Sequence, residues 1–76
     1  MPKSPRSVSG WEVIRALERL GFRQVRQHGS HVILKKQTPA GEIGCVVLLH
    51  GDLAAGTLRS VLRQAQVDLD TFLENL

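Results

Sequence analysis

The sequence predicts an α+β fold: a two-layer α-β-β-β-α sandwich with helices on one face of a three-stranded antiparallel sheet. Three observations lead there. Apolar residues recur at helical spacing near each end of the chain. Between them lie three short runs rich in β-branched and aliphatic residues, joined by connections too brief for parallel crossovers. Finally, a chain of 76 residues buries only about 60–65% of its unfolded surface, which supports one two-layer core and no deep private cavity for a cofactor.

The elements follow in order. Residues 1–8, "MPKSPRSV", combine prolines, serines and two cations and are expected to form a flexible arm ahead of one domain at 9–76. "SGWE" then offers a capping box: Ser9 can accept from the Glu12 amide while the Glu12 carboxylate reaches back to the Ser9 amide. Val13, Ile14, Leu17 and Leu20 form the apolar stripe of a helix over about 10–20, and Gly21 stops it. "FRQVRQ" reads as a strand of imperfect alternation. "HGS" is a tight turn in which Gly29 can take positive φ.

"HVILKK" is the second strand; its pleat sets His31, Ile33 and Lys35 on one face and Val32, Leu34 and Lys36 on the other. "QTPAGE" is a loop. "IGCVVLL" is a third strand, apolar enough to lie centrally or to be covered on both faces. After the loop "HGDLAAG", Thr57 is the expected N-cap of a helix striped by Leu58, Val61, Leu62 and Ala65, with Arg59 and Arg63 one turn apart on another face. Asp68 caps a last short helix carrying Leu69, Phe72, Leu73 and Leu76.

Composition narrows the function classes. With two Phe, one Trp and no Tyr, the core must be built of Val, Leu and Ile. Cys45 is alone, which excludes an intramolecular disulfide and a cysteine zinc site and suits a reducing cytoplasm. It stands in "CVVLL" and reads as a small buried hydrophobe. No apolar stretch approaches membrane-spanning length and no signal-like segment follows the N-terminus, so a soluble chain without membrane partners is expected.

The net charge of +3 is unevenly spread. Residues 1–36 hold eight of the ten cations against Glu12 and Glu18, whereas residues 37–76 are acidic on balance. A basic half is what a polyanion-binding face needs, because phosphate neutralisation supplies most non-specific nucleic-acid affinity.

That basic half surrounds "GSHV", Gly29 to Val32. A histidine at a strand entrance is either a proton-transfer group at the lip of a surface or a polar turn residue. His28, His31 and His50 also form a conceivable zinc set, but H-x₂-H across a two-residue turn is awkward and lacks carboxylate support, so no metal and no cofactor is expected.

"SGWEVIRALERLGFRQVRQHGSHVILKK" and "VVLLHGDLAAGTLRSVLRQAQVDLDTFLENL" closely resemble the HicA toxin family, also called YcfA-like proteins, over about residues 8–75. Four parts occur in order: the "L..LGF" junction, "R..GSH", a histidine after the third strand, and a "G.L..L...A" helix followed by an "F" helix. The resemblance implies a fold like a double-stranded-RNA-binding domain. It also implies ribosome-independent endoribonuclease activity on mRNA and inhibition by a HicB antitoxin. His31 maps onto the family's catalytic histidine, Gly29 and Ser30 onto its companions, and His50 onto a second histidine. Two departures stand out: Leu48 and Leu49 where the family often has proline, and Gln66 where it often has glycine.

RNA carries its own nucleophile, the 2′-hydroxyl, so cleavage requires proton transfer and charge stabilisation. An imidazole near its reference pKa of about 6.5 can do the first, typically for about 10²–10⁴-fold in rate. Ser30 can donate to a phosphate oxygen, and Arg26 and Lys35 can neutralise phosphate charge. His50 is either a partner proton donor or a residue shaping its loop. An antitoxin is expected to cover the basic face and bury His31, with Arg15, Arg19 and Arg26 contributing. Two other classes fit the pattern: a catalytically silent RNA-binding module, and a protein-interaction domain using Trp11 and the apolar helix faces.

Overall fold

A computed structural model describes residues 8–76. Three helices and three strands run in the order α1 (Gly10–Arg19), β1 (Arg23–His28), β2 (His31–Thr38), β3 (Gly41–Leu48), α2 (Ala55–Ala65) and α3 (Leu69–Glu74). The chain is α+β with a three-stranded antiparallel sheet ordered β1-β2-β3.

α1 begins on the capping box: Ser9 Oγ accepts from the Glu12 amide at 3.2 Å, and Glu12 Oε1 accepts from the Ser9 amide at 3.0 Å. It ends in a Schellman arrangement. The Phe22 amide donates to the Leu17 carbonyl and the Gly21 amide to that of Glu18, with Gly21 at φ +101°. Phe22 is thereby pinned inside, and its ring receives the Lys36 ammonium 5.8 Å from its centroid.

The register explains the core. Val32 opposes Val47 and Leu34 opposes Cys45, and all four side chains are buried on one sheet face. They meet Val13, Ile14 and Leu17 of α1, Leu58, Val61 and Leu62 of α2, and Phe72 of α3 in one apolar cluster. No polar or charged side chain among the described residues is buried. Cohesion therefore rests on hydrocarbon burial, about 1.5–3 kcal/mol per large side chain. The opposite face, with His31, Ile33 and Lys35, is left uncovered by the helices, as the pleat of "HVILKK" predicts.

Several expectations are corrected. The third strand is an edge strand covered on one face only; the central strand is β2, and Val46 remains 40% exposed. Its continuous apolar run arises because α2 flanks its free edge, where Gln64 Oε1 accepts from the Val46 amide at 3.0 Å. The loop expected over 37–42 shrinks to a two-residue turn at Pro39 and Ala40. Gln37 pairs with Glu42 and Thr38 with Gly41, so polar, exposed residues continue the ladder. The N-cap of α2 is Ala54, which lacks a side-chain cap, and Thr57 lies in the first turn instead.

A bulge between Gln24 and Arg26 accounts for the imperfect alternation of β1. Val8, placed by sequence in the arm, is fully buried, and its carbonyl accepts from the Leu53 amide. The rest of that arm lies outside the described residues.

Candidate functional site: an open groove at the hairpin mouth

The β1–β2 hairpin closes with His28 opposite His31 and only Gly29 and Ser30 between them. Gly29 takes φ +56°, while Ser30 keeps negative φ. Positive φ at the first central residue alone fits the type II′ hairpin turn, which demands glycine there. Two bonds brace the turn. Gln27 Nε2 donates to the Gly29 carbonyl at 3.0 Å. The Leu49 amide donates to the Ser30 carbonyl at 2.7 Å, extending the β2–β3 ladder past Leu48. Proline at position 49 would have no such hydrogen, so one of the departures from the family pattern ties the end of β3 to the turn.

His31 opens β2 and stands exposed on the uncovered sheet face, between His28 of β1 and Leu48 of β3. It lines a groove of about 370 Å³. Val46 and Leu48 form the floor, and Gly56, Thr57, Ser60 and Gln64 of α2 form the wall. An imidazole thus shares an open cleft with two hydroxyls and an amide. Thr57, Ser60 and Gln64 carry no motif that marks them in sequence. Only the packing of α2 along the β3 edge brings them to His31.

The cations are distributed rather than clustered. Arg26 opposes Ile33 and lies about 7 Å along the strand direction from the His28–His31 pair. With Val25, Ile33 and Lys35 it lines a second, smaller depression on the same face. Lys35 is about 13 Å from His31 along β2 and is paired with Glu42 Oε1 at 3.3 Å. Both partners are substantially exposed, so that pair is weak and exchangeable. Arg23, opposite Lys35, adds a cation that the sequence reading did not single out.

Arg15 and Arg19 belong elsewhere. They sit on α1 in the helical layer; Arg15 lines a cleft with Trp11 and Gln24, and an Arg19 Nη donates to the Asn75 carbonyl at 2.8 Å.

His50 comes to the same end of the sheet, one residue beyond Leu49, but lies outside the groove lined by His31. Its backbone is engaged: the amide donates to the Leu48 carbonyl and the carbonyl accepts from the Gly10 amide, both at 2.9 Å. The three histidines are not drawn into one cluster. Among the described residues no group of three or more His, Cys, Asp or Glu side chains is placed to hold a metal ion. Cys45 is 2% exposed beneath the sheet, and burial pushes its thiol up to about 11, so it is an inert core residue. Among the described residues no helix is long and apolar enough to cross a membrane.

A family model described as the HicA toxin of bacterial toxin-antitoxin matches residues 10–67, from the first residue of α1 to just past α2. No curated relative matches the chain. The matched span is well over half of the sequence and contains the hairpin, the groove floor on β3 and its wall on α2. By fold, by motif and by this match, the chain belongs to the HicA family of toxins of bacterial toxin–antitoxin systems.

Proposed function

We propose that this chain is the toxin of a type II toxin–antitoxin pair and acts as a metal-independent endoribonuclease on mRNA in the cytoplasm, held inactive by a HicB-like antitoxin. The observation that carries the reading is the exposed imidazole of His31 in a groove on the one uncovered, cation-bearing sheet face.

The chemistry needs little more. The RNA 2′-hydroxyl attacks the adjacent phosphorus and loses its proton; the 5′-oxygen leaves and gains one. His31 serves as the general base for the first transfer or the general acid for the second, and the products are a 2′,3′-cyclic phosphate and a 5′-hydroxyl. Gly29, which has open space where a Cβ would stand, lets the RNA backbone approach the turn. Ser30, the next residue of the turn, donates to a phosphate oxygen. Arg26 and Lys35 hold the strand by its phosphates further along the face. His50 shapes the sheet end through its backbone bonds. An antitoxin that covers the groove and Arg26 would remove both the proton-transfer group and the nearest phosphate contact.

The test is cleavage of a long RNA by the purified chain and by His31→Ala, with and without a chelator, followed by end-group analysis. The expected result is chelator-resistant cleavage with cyclic-phosphate ends, lost by about 10²-fold or more in the variant. A folded His31→Ala protein that still cleaves would remove the assignment. RNA that is bound but never cut would instead make the chain a binding module.

A further inference from the structure

A second groove, somewhat larger than the one that holds His31, opens on the helical side of the molecule. It lies between α2 and α3, about 420 Å³ in volume, with Leu58, Leu62, Val67 and Leu69 forming an apolar bed and Arg59 and Arg63 on its rim. Leu69, at the start of α3, is a large apolar side chain that remains 45% exposed.

The two arginines are one turn apart on α2, about 6 Å along its axis. Like charges at that spacing repel. Neither has a carboxylate within ion-pair distance among the described residues, and the Asp68 carboxylate at the head of α3 accepts instead from the Thr71 amide at 2.8 Å. An apolar bed bordered by two uncompensated guanidinium groups is complementary to an amphipathic segment with carboxylates along one side. RNA fits it poorly, because the bed offers hydrocarbon and no aromatic ring for base stacking.

We infer that this groove is the anchoring site for the antitoxin, which inserts an amphipathic segment whose apolar side chains lie on Leu58, Leu62 and Leu69 and whose Asp or Glu side chains meet Arg59 and Arg63. The inference rests on the toxin reading above. α2 makes the two sites neighbours without merging them. Ala55, Leu58, Arg59, Leu62 and Arg63 face the apolar groove, whereas Thr57, Ser60 and Gln64 face the groove of His31. A partner seated on the first is one helix width, about 10 Å, from the second. It can straddle α2 and close the His31 groove with a short extension.

The experiment uses the full-length chain and a co-expressed HicB-like antitoxin. Binding is measured by calorimetry, and RNA cleavage is measured on the free toxin. Arg59→Glu/Arg63→Glu is expected to weaken antitoxin binding by about tenfold or more, while free-toxin cleavage stays within about twofold of the parent. Arg59→Gln/Arg63→Gln, which preserves helix propensity, shows a smaller loss in the same direction. Leu69→Asp weakens binding as well, and circular dichroism confirms that each variant is folded.

Unchanged antitoxin affinity in the folded double variants overturns the inference. So does the converse pattern, cleavage lost with antitoxin binding intact, which would assign the arginines to RNA. If the parent chain cleaves RNA but binds no such antitoxin, the pairing itself fails and the docking site falls with it. If it binds the antitoxin through these residues but cleaves nothing, the nuclease reading fails and the docking site stands.

Discussion

His28 and His31 form the terminal pair of the β1–β2 ladder, so their imidazoles rise from the same uncovered face on either side of the Gly29–Ser30 turn. Cross-strand partners of this kind have Cβ atoms about 5 Å apart. Only one of the two lines the groove walled by α2, and that one is His31.

The pair therefore has an expected hierarchy. His28→Ala should retain RNA cleavage within about tenfold, because its ring is beside the groove, whereas His31→Ala should lose about 10²-fold or more. Single-turnover cleavage of one RNA by both variants decides the order, and the reverse order would move proton transfer to His28.

Gly10 is a stability position that the sequence pattern did not mark. Its amide donates to the His50 carbonyl, and a Cβ built on it would overlap the Leu48 carbonyl oxygen. Backbone on both sides leaves no flexible neighbour to yield. Gly10→Ala should cost about 1–3 kcal/mol, as overpacking does, read as a lower urea midpoint with an unchanged slope.

Phe72 lies beyond the segment matched by the family model, yet it is fully buried and among the largest such side chains. Phe72→Ala should cost about 3–5 kcal/mol, a large part of the total stability of so small a domain. Truncation before α3 should be as damaging. A thermal melt of either variant that matches the parent would show α3 to be dispensable.

Gln66 ends α2 in the left-handed conformation at φ +58°, the one non-glycine residue with positive φ among those described. An L-residue there costs about 1–2 kcal/mol, while glycine adds freedom to the unfolded chain. Gln66→Gly should therefore leave stability unchanged or raise it by up to about 1 kcal/mol, whereas Gln66→Val should lower it. Urea denaturation of the two variants provides the comparison.

Cys45 gives a pH dependence of known sign. Burial raises its thiol from an ordinary 9.0 to about 11, which means that the fold favours the neutral form. That contribution to stability is complete below pH 9 and is lost as pH rises from about 9 toward 11. Folded protein should resist alkylation at pH 8 and react once denatured. Cys45→Ala should be less stable at neutral pH and should lack this component of the alkaline loss.

Local chemistry is readable without coordinates. The Ser9–Glu12 box, the stop at Gly21, the turn at Gly29 and the cap at Asp68 each depend on residues within a few positions of one another, and each is found where it was expected. The face on which His31 stands follows as well, because a pleat alternates regardless of what covers it.

Relations between segments distant in the chain were settled by packing. An apolar run such as "IGCVVLL" looks alike whether a strand or a helix flanks its edge, and here Gln64 of α2 satisfies that edge. The walls of the His31 groove, the separation of Lys35 from that histidine, and the placement of Arg15 and Arg19 in the other layer arise the same way. They depend on how helices already satisfied in their own hydrogen bonds are pressed onto the sheet by hydrocarbon burial, a force without direction whose outcome is set by the summed shapes of side chains far apart in sequence.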